Sequence, residues 1–491
     1  MSSADALESS SRREFIQAGV ATVGAALASS ILPKAAAQTT EKRPNLVFFY
    51  TEAQRSDALS LAGHPILKTP NQDRIGREGV QFKNAFCTNA LCAPARAVAL
   101  TGMYSYATGA LDNTTTDAPL PSDIPLFTDL LHQAGYEVGI FGKVHVRNGV
   151  RERYWDHYFG FNAGNTDYDH PKFYEGRKGE MGQEITYNEY ADDLATDRAL
   201  AWLNEKRDKP FCLLLWPQAP HGPFFRPRRL LDLYNGVPIP KPVTFDDDLK
   251  GYPGKPRAFA NAKNKVGSTD MLYDSVRSLE ELVKNYYAGF VAVDQNIGRV
   301  LDSLEKSGKM DDTAIVHSSD HGYFLGEWRL FDKRLMHEPS SRIPMMVRYP
   351  ARIKAGTVKE EMVLNVDIAP TLLDLAGVRI PSHMQGHSLL PLANGEATSW
   401  RKDWLYEYYD YPGAEHVRPH RGVRTERYKL IYYYPLDSYL ESKEYELYDL
   451  QTDPGERNNL YGDPAVADVQ AHLWKRLAEL RREIGDPRVT S

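Results

Sequence analysis

The sequence predicts an α/β fold: a sheet covered by helices on both faces, followed by a smaller antiparallel sheet closed by a helix. Three observations predict it. Four apolar runs, at residues 46–50, 138–141, 211–216 and 314–317, are continuous rather than alternating, as in strands buried on both faces. Helical patterns at 127–134, 191–203 and 290–307 separate them. Near 381–391 the composition shifts, and beyond it 405–409, 421–434 and 444–449 read as strands and 466–484 as a terminal helix.

Taken in order, the first element stands outside the fold. Ser11, Arg12, Arg13, Glu14, Phe15 and Ile16 form a twin-arginine pattern, followed by an apolar run over 18–32 and small residues at Ala35 to Ala37. The run is Ala/Gly-rich and shorter than the ~20 residues of a membrane span. We therefore expect an export signal over 1–37, removed before Gln38, that sends the chain to a bacterial periplasm or the exterior. The expected organisation is then a catalytic α/β domain over 44–385 and a C-terminal α+β subdomain over 386–491. With 42% apolar and 25% charged residues, the 491-residue chain has ample core for that plan. A formal net charge of -6 argues against nonspecific nucleic-acid binding, and no segment after the signal predicts a membrane partner. Three cysteines, at 87, 92 and 212, give no disulfide framework.

Each of the four strands runs into a polar turn. The first leads to Thr51 and Glu52, the second to Lys143 and His145, the third to His221, the fourth to Asp320 and His321. Ligands of open α/β sheets bind outside the carboxyl ends of strands, so these residues are candidates for one site. The Pro-, Lys- and Asp-rich stretch 226–280 has little periodicity and is expected as a long loop at the rim of that site.

Cys92, Ala93, Pro94, Ala95 and Arg96 read C-x-P-x-R at the start of a helix. Pro94 suits the first helical position, where its missing N–H costs nothing, and Gly102 is placed to end the segment. Cys92 is thus presented at a helix N-terminus, where free N–H groups and the helix dipole lower the pKa of a thiol. The alternative reading is a small buried side chain beside a turn.

This pentapeptide, extended by Leu100, Thr101 and Gly102, resembles the signature of the type I sulfatases of the alkaline phosphatase superfamily, and the similarity covers nearly the whole chain after about residue 44. The resemblance implies an alkaline phosphatase-like fold with a large mixed sheet. It implies that a dedicated maturation enzyme oxidises Cys92 to formylglycine, whose hydrate is the nucleophile, beside one divalent ion, usually Ca2+. The metal ligands implied are Glu52, position 92, Asp320 and His321. Where the family reads T-D-D or T-D-Q, this chain has Thr51, Glu52, Ala53 and Gln54; Ala53 offers a cation nothing, and water, Gln54 or Asp57 is left to fill the gap. The same resemblance makes His221, helped by Lys333, the proton donor to the leaving oxygen and His145 the base that releases sulfate. Arg96 and Lys143 would hold the nucleophile and offset charge, and Glu338 and Arg342 follow Lys333 in the family's pattern.

Residues 422–430 look like bacterial sulfatases of sulfated sugars, so the expected substrate is a sulfated glycan or oligosaccharide. His416, Arg418, His420 and Arg421 are the candidates for gripping it. Many of the 29 tyrosines fall in the last third, where sheet packing explains them better than sugar contact does. Competing readings are a phosphodiesterase or phosphonate monoester hydrolase of the same superfamily, and a glycan-binding pseudo-sulfatase motivated by Ala53.

Overall fold

Asn45–Thr51 shows why the apolar runs become central strands: Leu46, Phe48 and Tyr50 point to one apolar layer, Val47 and Phe49 to the other, and all are fully buried. In the computed structural model, which describes residues 43–113, 120–146, 150–247, 255–266, 278–413, 415–435 and 443–486, this strand lies in the middle of an 11-stranded sheet. It pairs in parallel with Phe211–Trp216 on one side and Thr313–Ser319 on the other. Glu137–Lys143 and His157–Phe161 extend the parallel block, while Met345–Arg348 and Lys172–Arg177 join antiparallel, so the sheet is mixed.

Helices cover both faces. Pro70–Arg77, Ala191–Leu203 and Leu279–Lys306 pack together on one side; Cys92–Thr101, Phe127–Gln133 and Ile368–Leu375 pack on the other. A four-stranded antiparallel sheet of Asp403–Tyr408, His420–Thr425, Tyr428–Tyr433 and Glu444–Asp449 adds its own apolar residues to that second layer, with Ala467–Glu483 as the terminal helix. Residues 43–491 make one compact unit. The expected signal over 1–37 lies outside the described residues, among which no helix is long and apolar enough to cross a membrane.

Three local expectations are corrected. The long helix begins at Leu279, eleven residues before the predicted start, because Ser278 caps it by accepting from Glu281 N at 3.1 Å. The single strand expected over 421–434 is a hairpin, turned at Glu426 and Arg427 where Thr425 Oγ1 accepts from Tyr428 N at 2.9 Å. Pro94 stands third in its helix rather than first; N–H groups of the first turn have no helical partner anyway, so nothing is lost.

Candidate active site

The parallel register sets the site. Thr51 lies opposite Ser319, so the residues that follow, Glu52 and Asp320, emerge side by side, both fully buried. Cys92–Thr101 enters from the covering layer; all ten of its residues are buried, and Gly102 ends it at φ 66°, its N–H bonded to Val98 O. Cys92 Sγ then lies 3.2 Å from Glu52 Oε1 and 3.3 Å from His321 Nε2.

Cations surround this pair of carboxylates. Arg96 donates from Nη2 to Glu52 Oε2 and Asp320 Oδ2, both at 2.9 Å, and from Nη1 to Lys143 O at 2.8 Å. Its guanidinium packs 5.4 Å from the Trp216 ring and 5.6 Å from that of Tyr50. Lys143 Nζ is 2.7 Å from Glu52 Oε2. Its strand can end there because Gly142 takes φ 108° with its α-carbon against Trp216 O; a Cβ would sit 2.2 Å from that oxygen. Lys333 Nζ stands 3.9 Å from Glu52 Oε1 and 3.2 Å from Asp332 Oδ1.

The histidines complete the ring around Cys92. His145 and His221 both lie close enough to the sulfur to feel its charge. His221 Nδ1 is 2.8 Å from Gly222 O; a carbonyl only accepts, so Nδ1 carries the proton and Nε2 faces the cluster. His321 is oriented in the same way by Gly322 O at 2.8 Å. Ala53, His145, Asp332 and Arg334, all in or beside the cluster, adopt positive φ (55°, 43°, 78° and 93°). Such strain in non-glycine residues costs of order 1–3 kcal/mol each and concentrates where geometry serves function.

Charge and burial act together here. Burial alone would push the Cys92 thiol up, but Lys143, Lys333 and His321 outweigh it and hold it well below its ordinary value. Glu52 is held down against its own burial by Lys143, His221 and Arg96. Asp320 is lifted to about 7, by burial first and by the Glu52 charge second. Burial lowers His145 to about 4 and lowers His221 as well.

The donor set fits a divalent ion. Glu52, Cys92, Asp320 and His321 each offer an atom, all within 4.8 Å of one another. Asp320 and Glu52 crowd two carboxylates into a buried space, and His321 turns Nε2 towards them, so a bound cation would relieve the repulsion and take the place of a proton on that nitrogen. The replacements open for the Ala53 gap point elsewhere. Gln54 bonds Thr51, Ala58 and Gln72, and Asp57 is paired with Arg55. Ala53 contributes only its N–H, donated to Asp320 Oδ1 at 2.9 Å.

Other expected residues sit differently. His420 is fully buried in the C-terminal sheet, accepting from Met336 N at 3.2 Å and donating to Arg418 O at 2.9 Å among Tyr406, Tyr408 and Tyr433, so it has no face for a glycan. Arg418 is buried near Glu444, and Arg421 stacks on Tyr434. His416, half-buried beside Tyr411, is next in the chain to Glu415, which pairs with Arg334. Glu338 turns away from Lys333 to Arg424 and Lys429, and Lys429 continues to Glu456. Of the 226–280 stretch, Lys265 bridges Leu330 and Asn264 bonds both main-chain groups of Phe331, so this part supports the Lys333 segment from behind. Pro242 to Thr244 line a cavity of about 480 Å3 with Arg55, Glu327 and Arg342, away from Cys92.

Sequence reasoning missed several neighbours. Asp332 and Glu415 hold Arg334 beside Lys333, and Asn113 accepts from Ala93 N through Oδ1 at 3.1 Å. The hydroxyl of Tyr406 accepts from Ala90 N and donates to Arg334 O, joining the Cys92 and Lys333 segments.

Two family models match this chain. The sulfatase family model matches residues 44–378, and that of the N-sulphoglucosamine sulphohydrolase C-terminal region matches 326–483. An N-acetylglucosamine-6-O-sulfatase of Bacteroides thetaiotaomicron is 35% identical, over 91% of this chain and 87% of that protein. A solved structure of a protein in complex with its substrate D-glucosamine-2-N,6-O-disulfate superposes with a TM-score of 0.82 at 34% identity, covering 91% of this chain and 99% of that one. The phosphonate monoester hydrolase of Agrobacterium radiobacter, at 22% identity and a TM-score of 0.72 over 90% and 96% of the two chains, shares the fold. With its family match spanning the central sheet and every strand end that builds the site, the chain belongs to the sulfatase family.

Proposed function

We propose that this enzyme removes sulfate from a sulfated aminosugar, of the N-acetylglucosamine 6-sulfate class, through a formylglycine at position 92 beside one Ca2+. The observation that carries the reading is the position of Cys92, in contact with two metal-type donors and ringed by Arg96, Lys143, Lys333, His145 and His221. The similarity to an N-acetylglucosamine-6-O-sulfatase supports the substrate class. Glu52, Asp320, His321 and the oxygens of residue 92 would hold the ion. When present, the hydrated formylglycine supplies a nucleophilic oxygen and the ion lowers its pKa and offsets charge on the sulfuryl group.

The chain's own residues do the rest. Lys143 and Lys333 place positive charge beside the sulfuryl oxygens, in a site where little water screens it. Arg96, fixed by Glu52, Asp320 and the Lys143 carbonyl, holds the helix that carries position 92. His221, its Nδ1–H bound to Gly222 O, would give the leaving oxygen a proton from Nε2 as the imidazolium, the charged form that the neighbouring Glu52 carboxylate favours, and return to the neutral ring. His145, kept neutral by burial, accepts the proton whose removal frees sulfate. Export by the twin-arginine route to the periplasm or beyond, and maturation by a formylglycine-generating enzyme, belong to the same reading.

Peptide mass analysis of protein coexpressed with a maturation enzyme tests it. The Cys92 peptide should carry the aldehyde mass, and N-acetylglucosamine 6-sulfate should be desulfated faster than aryl phosphate diesters. An unmodified thiol in fully processed protein, or preference for the diester, overturns it.

A further inference from the structure

Behind His221 lies a buried carboxylate that the chemistry above does not use. Asp192, in the first turn of Ala191–Leu203, is 3% exposed and accepts from two main-chain N–H groups: Gln218 N to Oδ1 at 2.8 Å and Ala219 N to Oδ2 at 2.9 Å. Both oxygens leave their own helix to hold the residues that lead through Pro220 to His221. Two main-chain donors, rather than a close cation, compensate the burial; Asp193 opposes the charge and Lys143 attracts it only weakly, and burial lifts Asp192 to about 6. A carboxylate kept buried on such terms is an expensive way to end a strand unless the geometry it fixes is needed.

The same anchor reaches the opposite side of His221. Gln218, held by Asp192, pairs reciprocally with Thr166: Nε2 donates to Thr166 O at 2.8 Å, and Thr166 N donates to Oε1 at 2.7 Å. In the short strap that contains Thr166, Asn165 Nδ2 donates to Gly222 O at 3.3 Å and Tyr168 Oη donates to His221 O at 2.8 Å. Tyr168 is tied back to the helix by Ala191 N at 2.8 Å. The backbone of His221 is therefore gripped before and at the histidine by groups that meet at one helix start.

We propose that Asp192 and Tyr168 are positioning residues for His221, holding its ring at the place of the departing oxygen. The proposal rests on the reading of His221 as proton donor. A donor displaced by about 1 Å can cost ~100-fold in rate. The loss falls on substrates whose alcohol needs the proton, and much less on those that leave readily as a phenolate.

The test compares Asp192→Asn, Tyr168→Phe and His221→Ala on N-acetylglucosamine 6-sulfate and on 4-nitrophenyl sulfate, with melting temperatures and a crystal structure of the Asp192→Asn variant. His221→Ala should lose much more on the sugar sulfate than on the aryl sulfate. Asp192→Asn should follow it, losing about 100-fold in kcat on the sugar against about threefold on the aryl ester, with KM little changed and the His221 ring displaced. Tyr168→Phe should show the same selectivity in weaker form, and it carries the test if Asp192→Asn does not fold. Equal losses on both substrates from Asp192→Asn and Tyr168→Phe, while His221→Ala is selective, overturn the proposal. An unselective His221→Ala instead overturns the assignment of His221 itself.

Discussion

Replacing His420 by Gln should change how stability depends on pH. The ring is wholly buried, donating from Nδ1 to Arg418 O and accepting at Nε2 from Met336 N, so a second proton would face an N–H group. Burial takes its pKa down to about 4. In the unfolded chain the value is about 6.5. Between those values the unfolded chain binds a proton that the folded one refuses. The stability tied to the neutral ring is thus intact above pH ~6.5, declines through the window and is fully lost below pH ~4. A gap of about 2.5 pH units at 1.36 kcal/mol each corresponds to about 3 kcal/mol, of which about 2.5 kcal/mol is gone by pH 4.5. Urea unfolding of chelator-treated wild type and His420→Gln at pH 7.5 and 4.5 reads this directly, because Gln does not titrate. The advantage of the wild type over the variant should shrink by about 2.5 kcal/mol on acidification. An advantage that stays constant within about 0.5 kcal/mol refutes the reasoning.

Other expectations concern the site. Cys92→Ser, expressed without a maturation enzyme, should fold with an unchanged melting temperature and turn over sulfate esters at least ~1,000-fold more slowly than the matured protein, since a sulfated serine has no second hydroxyl with which to expel the sulfate. Lys143→Met removes a cation 2.7 Å from a buried carboxylate and should destabilise the protein by about 3 kcal/mol in chemical denaturation. Ala53→Asp adds a carboxylate at φ 55°, a conformation Asp tolerates better than Ala, and should tighten Ca2+ about tenfold or more by calorimetry. A chelator should lower the melting temperature and added Ca2+ restore it, with the larger increment in Ala53→Asp.

The fold was legible where burial on both faces made strands uniformly apolar, and 46–50, 138–141, 211–216 and 314–317 all fall inside observed strands. It was illegible where local signals were plain. Glu426 and Arg427 turn a hairpin without Gly, Pro or Asn, and the strand Thr357–Leu364 mixes charged and apolar residues because half of it is exposed. At the site, strand-end residues announced themselves through topology and motif. In the basic run from His416 to Arg421, His420 misled, because alternate side chains of a strand turn to opposite faces and its ring turns inward. Asp332, Arg334 and Glu415 gave no signal, since their meeting depends on two distant segments.

The ion network joining Glu338 to Arg424, Lys429 and Glu456 has a consequence for biosynthesis. A ribosome delivers those partners hundreds of residues after Cys92, and until they arrive Glu338 has only the nearby Arg342 to pair with and the segment from Lys333 onward lacks the sheet it docks against. The thiol, sealed in the finished protein, therefore stays reachable for most of translation. An enzyme that modified residue 92 would find it open in that interval and closed in the finished fold.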